Sequence, residues 1–331
     1  MEVGFKEFDS NRPFGIEVEV SASSTKEELR DTLSYYELFR NKNPRQVKMT
    51  AGQKGWEETK NNNYWHVKYD STCGSYESGY DHGWEIASYI GSGLSDISSI
   101  SNALHFVGSC GVEVNQNCGL HVHVEVVDFN TSLMGLLLAH WLKVESFLLH
   151  SCPAYRRESK YCRRLRSKIS MRKLENLYKS GSINVFEKLW EALSPTDFST
   201  HNNQQKKVTL NTVGFAIGLR RPCYNRTTIE LRIPESSLNK EDIKNWVILI
   251  LNFVESCRKL KKINIPVDLS ISKSLHNSLS LLGISSNKEF LILDENLYNL
   301  KKWFLKRIIC FSPSNRMVLE AKKEFSLLQL S

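Results

Sequence analysis

The sequence predicts a mixed α+β fold, because stretches that alternate polar and apolar residues are interleaved with segments whose apolar residues recur at helical spacing. Three alternating stretches carry most of the weight. They are Gly15-Ile16-Glu17-Val18-Glu19-Val20, Leu120-His121-Val122-His123-Val124-Glu125 and Thr228-Ile229-Glu230-Leu231-Arg232-Ile233. A period of two marks a half-buried β-strand, so each stretch offers a polar pair on one face and an apolar row on the other. The two imidazoles leave their strand on one side, about 7 Å apart at the usual rise per residue. One such strand is read most simply as a solvated face. Three in one chain can lie side by side with their polar faces converging, and carboxylates about 4 Å apart then repel by roughly 4 kcal/mol per pair. A cluster of that kind needs a cation or protons to hold it together.

The remaining elements follow in order. Thr25-Lys26-Glu27-Glu28 has capping-box spacing and Leu29, Leu33, Tyr36 and Phe39 recur at helical intervals, which predicts a helix over 25–40. After a loop rich in Asn and Lys, Tyr64 to Asp70 reads as a strand, Ser71 to Gly83 as a turn region, and Gly83 to Ser88 as a further strand. Glu85 is polar among apolar neighbours there; it either caps the strand at its edge or points into the polar cluster. Ile97, Ile100, Leu104 and Val107 predict a helix over about 96–107. Residues 132–150 are long and apolar enough for a central buried helix, on which His140 and His150 read as structural. Helical stretches near 171–179 and 184–193 lead to a polar loop, Ser199 to Lys206, and extended structure resumes from Lys207 to Asn211. An amphipathic helix over 240–262 carries Trp246, Ile250, Phe253 and Val254 on one side, and the Leu- and Lys-rich tail beyond about 264 reads as helical.

At 331 residues, with 41% hydrophobic and 24% charged, the chain has an ordinary globular composition for one large or two medium domains. No uninterrupted apolar run reaches the roughly 18 residues of a membrane span. Met1 to Phe8 lacks a signal-peptide core, so a cytoplasmic location with no membrane role is expected. The cysteines at 73, 110, 118, 152, 162, 223, 257 and 310 form no C-x-x-C pair, which favours reduced thiols over a disulfide scaffold. A net charge of +8 and a pI near 9.0 suit a polyanionic partner only weakly. The basicity is concentrated: from Arg156 to Lys173 nine basic residues accompany one acid, Glu158. This run is either a solvated helix face or a phosphate clamp, since guanidinium forks match phosphate oxygens.

In chain order, Phe14 to Glu19, Trp65 to Ser71 with Asp70, Gly83 to Ser88, Asn117 to Val124, Arg156-Arg157 with Tyr161-Cys162, Asn211, and Thr228 to Arg232 resemble the motifs of the amidoligases. These are a branch of the carboxylate-amine ligases that share a catalytic fold with glutamine synthetase and glutamate-cysteine ligase. The resemblance covers roughly residues 12–255. It departs from the family where Tyr89, not proline, follows Ser88, and where the segment between Asp70 and Glu85 is lengthened.

The resemblance implies a curved, mainly antiparallel sheet with a concave active-site face and helices on the other face, as in glutamine synthetase. The chain is read as a catalytic domain, 1–263, and a helical C-terminal extension packed on it, 264–331; the extension rests on its Leu- and Lys-rich pattern, as a cap or partner surface, and takes no support from the resemblance. The resemblance also implies transfer of the γ-phosphate of ATP to a substrate carboxylate, giving an acyl phosphate that an amine attacks. Glu17, Glu19, Glu85, Glu230 and His121 or His123 are then the ligands of Mg²⁺ or Mn²⁺. His123, Arg156, Arg157, Arg164, Asn211 and Arg232 would bind ATP, and Glu17, Asp70 and Arg232 would take part in catalysis. The substrates would be a small-molecule or peptide carboxylate and an amine, with no nucleic acid expected. The residue types agree, since Mg²⁺ and Mn²⁺ prefer hard oxygen ligands and accept imidazole. A G-x-x-x-x-G-K-[ST] loop is absent, so ATP must be held by metal and cationic side chains.

Two rival readings stand beside this one. His-x-His with nearby carboxylates also suits a zinc hydrolase, and Cys118 three residues before His121 strengthens that thought, although four acids exceed what one zinc ion needs. A nucleic-acid-binding protein using the basic run would bind in a steeply salt-dependent way and survive loss of Glu17 and His121.

Overall fold

In the computed structural model, which describes residues 11–40, 45–49, 64–73, 82–170, 172–173, 176, 184–194, 207–220, 227–259, 274–284 and 294–329, the three alternating stretches form strands. The chain groups into two units, one from Ser10–Val124 with Pro234–Val247 and the other from Glu125–Ile233 with Ile248–Ser331.

The first unit holds β1 (Phe14–Ala22), β2 (Gln46–Met49), β3 (Tyr64–Tyr69), β4 (His82–Ala87) and β5 (Leu120–Glu125). Their order is β2-β3-β4-β1-β5, and every neighbouring pair is antiparallel except β2 with β3. Register fixes which side chains share a face. Lys68 lies opposite Glu85, Glu85 opposite Glu19, and Glu17 opposite His121. The residues between them, Trp65, Val67, Ile86, Ile16, Val18, Val20, Leu120 and Val122, therefore share the other face, and all are buried. Full burial of one such aliphatic side chain contributes about 1.5–3 kcal/mol, so the apolar face holds these strands together and leaves the polar face free for chemistry.

Two helices belong to this unit. In α1 (Lys26–Arg40) the capping box closes as the spacing predicts: Thr25 N–H donates to Glu28 Oε2 at 2.7 Å and Glu28 N–H to Thr25 Oγ1 at 3.2 Å. The helix packs against β2, β3 and α2 (Gly93–Ser109). The start of α2 lies three residues before the predicted one, because the Asp96 carboxylate reaches back to accept the Ser92 N–H at 2.8 Å and draws that turn into the helix. Leu29 and Leu33 of α1 are buried, as are Ile97, Ile100, Leu104 and Val107 of α2.

The second unit is mainly helical and centres on α3 (Thr131–His150), started by Asn130, whose side chain accepts the Leu133 N–H at 2.8 Å. By length and hydropathy α3 could cross a membrane, and 83% of its apolar window is buried. Gly135 permits a close crossing of α3 with the helix Val185–Leu193, since a Cβ there would lie 1.8 Å from the Phe186 carbonyl oxygen. Calling the short helix Ala154–Arg157 α4 makes that crossing partner α5. A 3₁₀ turn spans Leu165–Lys168. Strands β6 (Leu210–Asn211) and β7 (Thr228–Leu231) pair antiparallel with Asn211 opposite Glu230, and α6 (Val213–Arg220) packs on β7. The extended run expected from Lys207 is a strand only at Leu210–Asn211, with Val208 bridging to Arg163.

Beyond α7 (Lys240–Lys259) come α8 (Leu275–Leu281), α9 (Glu295–Phe311) and α10 (Asn315–Gln329). The tail is therefore helical as read, with Lys301 of α9 reaching Glu324 of α10 at 3.1 Å. Most of the predicted helix near 171–179, most of the turn region between Ser71 and Gly83, and the loop from Ser199 to Lys206 fall outside the described residues. Among the described residues the α+β class holds, with seven strands paired mostly antiparallel and ten α-helices.

Candidate active site

Alternation on β1 sends Glu17 and Glu19 to the same face, and antiparallel pairing sets His121 of β5 directly beside Glu17. The His121 ring spans both acids, with Nδ1 3.6 Å from Glu17 Oε2 and Nε2 3.5 Å from Glu19 Oε1. His123, one pleat further along β5, brings Nε2 to 3.2 Å from Glu17 Oε2. Glu19 Oε2 also accepts the Gly119 N–H at 2.6 Å, which fixes its carboxylate against the start of β5. Glu17, Glu19 and His121 are buried.

On the other side of β1, β4 supplies Glu85. The register that pairs it with Glu19 resolves its direction: it points into the polar cluster and not to a strand edge. Lys68 of β3 donates to Glu85 Oε1 and stands 3.7 Å from Glu17 Oε1. The carboxylates of Glu17, Glu19 and Glu85 thus stand on one sheet face with the Lys68 ammonium and the imidazoles of His121 and His123. Burial raises the Glu17 pKa, but His123, Lys68 and hydrogen bonds from the two histidines outweigh it and hold the group well below the usual carboxylate value. Burial, together with repulsion from Glu17, pushes Glu85 up to about 8 despite Lys68. One acid of the cluster is therefore firmly ionised while its neighbour keeps a proton near neutrality.

Asp70 follows β3 and is part-exposed; its Oδ1 accepts the Thr72 N–H at 2.8 Å and the Thr72 hydroxyl at 2.7 Å. A carboxylate oxygen of Asp70, one of Glu19 and the Cys73 thiol lie within 4.8 Å of one another. Cys118 is buried, and its thiol donates to Asn115 Oδ1 at 3.4 Å.

In the second unit the antiparallel pair β6–β7 joins Glu230, Asn211 and Arg232. Asn211 Nδ2 donates to Glu230 Oε2 at 2.6 Å, and Arg232 Nη1 to Glu230 Oε1. Arg156 is buried and directed at main chain, with Nε donating to the Ile233 carbonyl at 3.2 Å and Nη2 to that of Arg232. Its place in the fold is to hold the strand end that presents Arg232. Arg157 donates Nη1 to the carbonyls of Cys152 and Phe311, and Arg164 is exposed. The turn after Arg164 is fastened by buried Glu145, which accepts the N–H groups of Leu165 and Arg166 and the Thr209 hydroxyl.

Sequence reasoning missed Lys68. A lone lysine in the aromatic strand Tyr64–Tyr69 carries no signal by itself; its significance comes from the register that faces it with Glu85. The available hint was period two, which puts Lys68 on the same side as His66, opposite Trp65 and Val67.

A family model described as "putative amidoligase enzyme" matches residues 10–254 of the chain, a span that takes in every residue of both clusters. Among curated proteins no relative matches.

Proposed function

The chain belongs to the putative amidoligase enzyme family, and from that premise we propose that it is an ATP-dependent carbon–nitrogen ligase joining a carboxylate to an amine. The supporting observation is the convergence of Glu17, Glu19, Glu85, His121, His123 and Lys68, from four adjacent strands, on one largely buried face. Glu17, Glu19, Glu85 and one of the two histidines would hold Mg²⁺ or Mn²⁺; hard carboxylate oxygens with an imidazole are a fitting donor set for these ions. When bound, such an ion would neutralise charge on the phosphoryl group being transferred.

The chain's own residues then divide the work. Glu17 and Glu19, packed against His121, fix the donor geometry before substrate arrives, which favours preorganised electrostatics over late rearrangement. Arg232, oriented by Glu230 and by the main-chain grip of Arg156, meets charge on the phosphoryl oxygens. Asp70 is the group we assign to the attacking amine, whose ammonium it would hold and whose proton it would accept. A carboxylate is a poor electrophile until one oxygen becomes a phosphate leaving group, so the route is an acyl phosphate attacked by the amine, with no covalent enzyme intermediate.

The test is a screen for ADP release with paired acid and amine libraries. Turnover should require ATP, a divalent ion and both partners together. With ¹⁸O in the substrate carboxylate, label should appear in the released phosphate. Amide formation with no label in phosphate would overturn the acyl-phosphate route. Cleavage without ADP or an amine would favour the zinc-hydrolase reading instead.

A further inference from the structure

The thiols beside this face have no part in the ligase chemistry, yet they are placed with acids. Glu19, Asp70 and Cys73 each present a donor atom within 4.8 Å of the other two. Cys73 and Cys118 are both fully buried. Cys73 Sγ lies 3.7 Å from Thr72 Oγ1, whose own hydroxyl donates to Asp70 Oδ1 at 2.7 Å. Asn115 ties the two cysteine segments together, since its Nδ2 donates to the Cys73 carbonyl at 2.8 Å and its Oδ1 accepts the Cys118 thiol at 3.4 Å.

We infer that Cys73, Cys118, Asp70 and Glu19 form a second cation site, selective for a soft or borderline divalent ion such as Zn²⁺ over Mg²⁺. Two sulfurs and two carboxylate oxygens are a tetrahedral donor set of the kind zinc takes, with metal–ligand distances of about 2.0–2.3 Å that place donors roughly 3.5 Å apart. The donors of Glu19, Asp70 and Cys73, within 4.8 Å of one another, need to close by only about 1 Å to meet that geometry, and Cys118, tied to the Cys73 segment through Asn115, is the fourth ligand we assign. Mg²⁺ gains nothing from thiolate sulfur, so the thiols set the selectivity. Binding would form two metal–sulfur and two metal–oxygen bonds and release the two thiol protons to solvent. Glu19 is common to this site and to the carboxylate cluster, so an ion seated here draws Glu19 away from His121.

The experiment uses the full-length reduced protein, stripped by chelator and titrated with Co²⁺. With excess Mg²⁺ present to occupy the carboxylate cluster, wild type should bind one Co²⁺ with thiolate-to-cobalt charge-transfer absorption and the visible bands of tetrahedral cobalt, and Mg²⁺ should not displace it. Cys73→Ser and Cys118→Ser should each lose about half of the charge-transfer intensity, and Asp70→Asn should weaken binding about tenfold or more. Cys257→Ser, a buried thiol in α7, and Glu17→Gln should keep the spectrum. Retention in Glu17→Gln separates this site from the proposed catalytic one, whose failure would leave the cobalt bands untouched. As a readout needing no variant, Zn²⁺ should protect Cys73 and Cys118 of wild type from alkylation, measured by peptide mass spectrometry. Absence of thiolate bands in wild type, bands unchanged in Cys73→Ser, or alkylation indifferent to Zn²⁺ would overturn the inference.

Discussion

Lys68→Met keeps side-chain length and removes the ammonium that stands against Glu17 and Glu85. At 3.7 Å from Glu17, that ammonium attracts the carboxylate by roughly 4 kcal/mol at an effective dielectric near 20. Glu85, raised to about 8, is mostly protonated at pH 7 and so contributes a hydrogen bond more than a second ion pair. Removing the ammonium leaves the buried Glu17 carboxylate without it, and stripping one partner from a buried charge costs about 3–5 kcal/mol. Against a total stability of about 5–15 kcal/mol this is a large fraction. Urea denaturation followed by tryptophan fluorescence reports on the right place, since Trp65 and Trp84 lie on β3 and β4 beside the substitution. Mn²⁺ should then recover more stability in the variant than in wild type, because Lys68 no longer competes for the Glu17 and Glu85 oxygens; an ion at about 100 times its Kd contributes about 2.7 kcal/mol. A loss below about 1 kcal/mol, the size of an exposed ion pair, would refute the view that Lys68 holds the cluster together.

Four further outcomes are expected. Glu17→Gln should reduce ADP release by about 10²–10³-fold or more, since it removes a charge from the centre of the donor set; activity within tenfold of wild type would exclude it as a ligand. Arg232→Ala should weaken Mg-ATP binding by about tenfold or more in calorimetry, the size of a charge-assisted hydrogen bond. Burial and Lys143 push His140 down to about 4, so the unfolded chain, titrating near 6.5, binds the extra proton as pH falls and stability drops between those values. Unfolding free energies from urea titrations at pH 7 and pH 4.5 should therefore differ by about 2.5 kcal/mol more in wild type than in His140→Gln. Gly135→Ala should destabilise by about 3 kcal/mol or more in thermal melts, because α3 and α5 must separate before the new methyl fits; an unchanged Tm would contradict their close crossing.

How far the sequence spoke depends on the kind of signal each residue gives. Strict alternation exposed β1, β5 and β7, since a buried apolar row leaves no freedom in which side faces out. The capping box of α1 and the apolar length of α3 were equally plain. The direction of Glu85 was not, because a polar residue in an apolar strand can face either way until a neighbour's register is known. Lys68 lay beyond reach for the same reason. The basic run left a solvated face and a phosphate clamp open; Arg156 and Arg157 turn guanidinium nitrogens onto carbonyls far along the chain, a pairing that composition does not encode. The link from Cys73 to Cys118 through Asn115 was equally hidden, as the separation of the two cysteines matches no metal-ligand spacing.

The segment after β7 bears on the order in which the active face is assembled. Pro234, Glu235 and Ser236 lie against the residues entering β5: the Leu120 N–H donates to the Pro234 carbonyl at 3.3 Å, Gly119 bridges to Glu235, and the Ser236 hydroxyl donates to the Glu19 carbonyl at 2.6 Å. That last bond joins residues 217 positions apart. During synthesis the strands β1 to β5 emerge early, but the stitch over Glu19 waits until Ser236 has left the ribosome. Contacts of such long range are made late, after the loop-closure entropy has been overcome. A nascent chain ending before that point would carry its acids along β1 without the clasp that orients the backbone behind Glu19.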